Sequence, residues 1–140
     1  MRLSSLADYA VVMMAAAARH GIEGRFSATM LAAETGVPLP TAQKLMGKLA
    51  HAGLLASQRG ASGGFALARE AGAISLIEII EAVEGPMALT SCVDDQRHDC
   101  ALEQACKVRP HWGVVNSAVR KAFEDVRLAQ LAGVEQEVMA

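Results

Sequence analysis

At 140 residues, 52% hydrophobic and 4% aromatic, the chain suits one domain with a real core, or a small domain with an appended helix. Its longest apolar run, residues 9–18, is about half of the ~20 residues a membrane span needs, and it lacks a secretory leader pattern, so a cytoplasmic protein without a membrane partner is expected. The net charge of −2 hides an asymmetry: residues 1–69 carry seven Lys/Arg against three Asp/Glu (+4), residues 70–140 six against twelve (−6). A basic front and acidic back fit a nucleic-acid-reading head on a body that does not touch phosphate.

Residues 5–20 read as a first helix. Ser5 followed by Asp8 resembles a capping box, and Gly21 supplies a stop. Its run YAVVMMAAAA is apolar nearly all round, which predicts burial on most faces, in part by a second subunit. Residues 27–35 form a short second helix with Met30, Leu31 and Ala33 inward, ended by Gly36. After Val37 and Pro38, residues 40–52 form a third helix, opened by Pro40, with Leu45, Met46 and Leu49 as its core face. Thr41, Gln43, Lys44 and Lys48 fall largely on the other side. Helix, glycine turn, helix with a polar and basic outer face is the helix-turn-helix pattern. Thr41, Gln43 and Lys44 are therefore expected to meet bases or phosphates, and Lys48 mainly phosphates.

Strand-like runs at 54–57 and 65–68 flank the loop RGASGG, a hairpin placed where the wing of a winged helix belongs. Its glycines allow close approach to a DNA backbone. Arg59, Ser62 and Gly63 are the expected contacts, with Arg59 clamping a phosphate or entering a groove. If the pattern were only structural, Lys44, Lys48 and Arg59 would be ordinary solvated charges. Residues 75–84 form a helix with a capping box, Ser75 and Glu78, and an apolar face of Leu76, Ile77, Ile79, Ile80 and Val83.

The segment SCVDDQRHDCALEQACKVRPHW holds all three cysteines, Cys92, Cys100 and Cys106, in the spacing C-x7-C-x5-C. An odd number of thiols in a reducing compartment argues against a disulfide framework. The paired C-x2-C spacing of structural zinc sites is absent, and wider spacing in an Asp-rich loop suits thiolates wrapping an iron–sulfur cluster. A single metal, or thiols acting without metal, are the other readings. Three thiolates need a fourth ligand, with His111, His98, Glu103 and Asp8 of another subunit as candidates. His20 and His51 sit at helix ends and are assigned no role. Pro110 then opens a helix running to about residue 131, roughly 33 Å long. Its heptad-like seam of Trp112, Val115, Val119, Ala122, Val126 and Ala129 points to a homodimer.

Taken together, MRLSSLADYA, LAAETGVPLPTAQKLMGKLAHAGLL, SQRGASGGFALAR, ISLIEIIEAVEGP and three cysteines in this order resemble the IscR/NsrR family of winged-helix iron–sulfur regulators over essentially the whole chain. The phrases LADYAVV, EGPMALTSC and CKVRPHW are most similar to the regulators of Suf-type cluster assembly. The resemblance implies a homodimeric repressor or regulator of transcription that binds a double-stranded operator. Its cluster, [2Fe–2S] ahead of [4Fe–4S], would be held by Cys92, Cys100 and Cys106. Isc-type members carry a histidine shortly after the third cysteine, where this chain has Arg109. Nitric-oxide-sensing members use an aspartate of the partner's first helix, a position that Asp8 matches, so Asp8 is preferred over His111.

The expected fold is mainly α with a small β-hairpin: a winged helix-turn-helix with a long C-terminal dimerisation helix. The expected division is a DNA-binding domain over 1–85, a cluster loop over 86–109, a dimerisation helix over 110–132 and a tail over 133–140. A nitric-oxide- or redox-sensing repressor and a cluster-free DNA-binding member are the alternatives on the same fold. A thiol oxidoreductase is disfavoured, since the chain shows no C-x2-C pair and no nucleophile–base arrangement.

Overall fold

The computed structural model describes residues 2–58, 64–90, 93, 105 and 107–134. Helix α1 (Ser5–Arg19) is the element on which the others pack, burying Ala7, Ala10 and the run from Met13 to Ala18. Its cap is Ser4 and not Ser5: the Ser4 hydroxyl accepts the Ala7 amide at 3.1 Å and itself donates to Glu84. Asp8 therefore has no capping duty and stands exposed on the first turn.

Helix α2 (Ala28–Thr35) is capped by Ser27 and stopped by Gly36 in the left-handed region, at φ 84°. Only Leu31 is buried on it. Met30, at 42% exposure, and Ala33 face solvent, against expectation. The inward stripe is instead Ala28, Leu31, Ala32 and Thr35, the three- and four-residue spacing of one helical face. Helix α3 (Leu39–His51) buries Ala42 together with the expected Leu45, Met46 and Leu49.

Strands β1 (Leu55–Gln58) and β2 (Gly64–Leu67) pair antiparallel, each displaced by one residue from the sequence reading. Phe26, just before α2, adds a bridge to the outer side of β2, exchanging both backbone hydrogen bonds with Phe65 at 2.9 and 2.7 Å. The hairpin is thereby stitched to the entrance of the helix-turn-helix. Helix α4 (Leu76–Glu84) has the predicted capping box, with Ser75 and Glu78 each satisfying the other's backbone amide. Ile77, Ile79 and Ile80 are buried, whereas Leu76 and Val83 are only partly so.

The C-terminal part departs most from expectation. Helix α5 ends after 16 residues (Arg109–Glu124), about 24 Å, and a separate short helix α6 (Leu128–Ala132) follows. Between them the backbone turns to form a bridge with the start of α4. The Leu76 amide donates to the Val126 carbonyl at 2.8 Å, and the Leu128 amide to the Ile74 carbonyl at 2.9 Å. Leu128 and Ala132 then join the same core as α1, α3 and β1, so α6 belongs to the head. Helix α5 packs on α4 and contributes no buried residue. No helix among the described residues is long and apolar enough to cross a membrane.

Candidate nucleic-acid interface and the cysteine segment

The turn between α2 and α3 is set by local chemistry. Thr35 Oγ1 donates to the Leu31 carbonyl at 2.7 Å and accepts the Val37 amide at 3.2 Å, closing the chain over Gly36. Pro38 and Pro40 then start α3 without needing backbone donors, and buried Val37 pins the turn to the core.

With Ala42, Leu45, Met46 and Leu49 inward, Pro40, Gln43, Lys44, Gly47 and His51 are left exposed at spacings of three and four. Thr41 and Lys48 are half-buried along the flank of that surface. The four expected contact residues of this helix are thus gathered on one outward surface. Pro40, Gly47 and His51 share it and went unassigned in the sequence, although their spacing from Gln43 and Lys44 is the signal that finds them. A Cβ on Gly47 would meet nothing within 4 Å, so packing does not demand a glycine. Its effect is a notch in the middle of the face, where another backbone or a base edge can approach. Arg59, Ser62 and Gly63 lie outside the described residues; the strands that carry their loop do not.

Cys92, Cys100, Cys106, His98 and Glu103 also lie outside the described residues. Among the described residues, no group of three or more His, Cys, Asp or Glu is placed to hold a metal ion. The flanks of the cysteine segment are described in detail. On entry, the Met87 amide donates to Glu81 Oε2 at 2.8 Å. The Asn116 side chain accepts the Leu89 amide at 2.8 Å and donates to the Met87 carbonyl at 3.3 Å. On exit, the chain enters α5 directly at Arg109. Glu81 also receives two bonds from Arg120, at 2.8 and 3.3 Å, and Arg120 reaches Glu124 at 2.6 Å. The Glu81 bond, opposed by slight desolvation, raises the Arg120 pKa above its ordinary value. Two carboxylates and one guanidinium thus hold α4, α5 and residues 87–89 together. His111 is exposed in the first turn of α5.

A two-stranded wing beside a helix-turn-helix with an open polar face defines a winged-helix DNA-binding protein. The family model Rrf2, "Iron-dependent Transcriptional regulator", matches residues 3–133, and the chain belongs to this family. It is 30% identical over 139 residues to the HTH-type transcriptional regulator IscR of Xenorhabdus nematophila, covering 99% of this chain and 83% of that protein. It is 31% identical over 131 residues to IscR of Vibrio atlanticus, covering 94% and 75%. Among solved structures it is similar to T. potens IscR, with TM-score 0.70 and 27% identity over 100% of this chain and 92% of the other. It is equally similar to CymR, the global cysteine regulator of B. subtilis, with TM-score 0.70 and 28% identity over 97% and 99%. These relatives are transcriptional regulators and not enzymes, and the chain is a DNA-binding regulator of their kind.

Proposed function

We propose that the chain is a homodimeric, cytoplasmic regulator whose operator affinity is set by an iron–sulfur cluster, [2Fe–2S] ahead of [4Fe–4S], on Cys92, Cys100 and Cys106. The observation that carries this reading is three thiols in one 15-residue stretch whose entry and exit are both fixed to α5. The donor set suits the group: three soft thiolates with a carboxylate or imidazole to complete the shell. Asp8 is available for that task, being exposed and released from capping by Ser4. His111 is the other exposed donor.

Homodimerisation is supported by exposed apolar strips among the described residues. Val114, at 69% exposure, and Val115 project from α5, and Tyr9 and Val12 from α1. Asp8 adjoins Tyr9, so a second copy covering the α1 strip would bring its cysteine segment toward this carboxylate. When bound, the group supplies one inorganic core tying the three thiolates together. The chain's own part is mechanical. Residues 86–109 are fixed to α5 at both ends, and order within them constrains that helix and, through it, the spacing of the two α3 faces.

The α3 face would meet the major groove through Thr41, Gln43 and Lys44. Lys48 and the wing residues Arg59, Ser62 and Gly63 would hold phosphates or the minor groove. The phrases LADYAVV, EGPMALTSC and CKVRPHW support Suf-type assembly genes as targets. Nitric oxide or oxidants acting on the same ligands are the sensing variant of this reading.

A second reading is a cluster-free DNA-binding member whose thiols act without metal, and the chain is as similar to CymR as to T. potens IscR. Anaerobic purification with an absorption spectrum and iron and sulfide counts separates the two. A coloured protein with matched iron and sulfide supports the cluster. A colourless, iron-free protein that binds its operator tightly supports the second reading.

A further inference from the structure

We infer that Asn116 is a positioning residue that couples the cysteine segment to α5, an inference that rests on that segment being the sensing element. Asn116 lies in the third turn of α5, seven residues after Arg109, so about 10 Å along the axis separate the two points where the segment meets this helix. At the upper point the contact is made by a side-chain amide acting as a strand edge. It accepts from Leu89 N–H and donates to the Met87 carbonyl, satisfying both groups of alternate residues as a neighbouring strand would. The third bond, from Met87 N–H to Glu81, closes the strap from its other side onto α4.

Leu89 stands three residues before Cys92, whereas the Glu81 contact stands five before it. The Asn116 bonds therefore anchor the chain three residues ahead of the first thiol. They reach α5 on the face opposite Val114, Val115 and Ala118, which are open to solvent. A pull or release on the segment that reaches Leu89 passes through this planar amide into α5. A hydrophobic side chain of the same size would fill the space without carrying that load. Asn116 binds no cofactor and no DNA; it acts through the backbone of 87–89.

The test uses the full-length, anaerobically purified protein with Asn116→Leu, which removes the bonds at constant volume, and Asn116→Asp, which keeps the acceptor for Leu89. The first readout is amide hydrogen exchange. Asn116→Leu should speed exchange at Leu89 by about tenfold or more, leaving residues 76–80 of α4 unchanged, and Asn116→Asp should restore most of the protection. The second readout is the ratio of operator affinities between the protein as purified and its triple serine variant at positions 92, 100 and 106. Asn116→Leu should pull this ratio toward one while iron content stays at the wild-type level. An unchanged ratio in Asn116→Leu with Leu89 exchange accelerated overturns the coupling and leaves the sensing reading standing. A ratio already at one in the otherwise wild-type chain overturns the sensing reading, and the coupling with it.

Discussion

Gly64 and Phe26 approach so closely that a Cβ on Gly64 would lie 2.8 Å from the Phe26 carbonyl oxygen. Gly64 also holds φ +140°, outside the range that side-chain-bearing residues favour. The wing is joined to the recognition unit at this contact. Gly64→Ala should destabilise the protein by about 1–3 kcal/mol and weaken operator binding as the hairpin is pushed off Phe26. Urea unfolding and fluorescence anisotropy on operator DNA check both.

The α4 cap predicts a pH dependence. Burial pushes the Glu78 carboxyl up, but bonds from the Ser75 backbone and the Arg69 guanidinium, with the Ser75 hydroxyl, outweigh it and hold Glu78 below its ordinary value of 4.5. A folded-state pKa below the unfolded one stabilises the fold at pH values above the unfolded pKa, and this contribution is lost as pH falls through the folded pKa. Glu78→Gln should therefore lower stability at pH 7, with the deficit shrinking as pH falls through the lowered Glu78 pKa, below 4.5. Ser75→Ala, at a buried cap, should cost about 1 kcal/mol at neutral pH. Denaturant titrations across pH measure each.

The α3 face predicts a division of labour. Lys44→Ala should weaken binding to all sequences alike and reduce the slope of log affinity against log salt by about 1. Gln43→Ala should instead relax preference at one base pair, by about 1–3 kcal/mol, with the slope nearly unchanged. Binding to a panel of operator variants at two salt concentrations separates them.

Helix α6 predicts where truncation is harmful. Leu128 is fully buried in the head core, so Leu128→Ala should destabilise by about 2–5 kcal/mol. Were this residue on a solvent-facing rod, the cost would be within about 0.5 kcal/mol. Thermal unfolding of the variant decides between them.

What the sequence disclosed follows the range over which each signal acts. The Ser75–Glu78 box, the Gly36 stop and the inward Leu45, Met46 and Leu49 are determined within one or two turns, and all are found in place. The cap of α1 lies at Ser4 instead of Ser5, and Ser4 also donates to Glu84, a contact eighty residues away that no local pattern records. The break after Glu124 was hidden because Val119, Ala122, Val126 and Ala129 keep a helical spacing across it. Its cause is tertiary: the Val126 carbonyl is taken by Leu76 of α4. Asn116 gave no signal at all, since its partners are backbone groups of residues 87 and 89. The α3 face was legible in its polar residues and incomplete in its apolar ones, Pro40 and Gly47, whose contribution is shape.

On the proposed function, the three thiols hold an iron–sulfur group that governs DNA affinity. The most direct measurement is operator affinity of the anaerobic protein before and after iron is stripped by a chelator, with the triple serine variant alongside. Stripping should change the affinity at least about tenfold, the scale of a 1.4 kcal/mol coupling, and the serine variant should behave as the stripped protein throughout. Equal affinities in all three samples would contradict this reading.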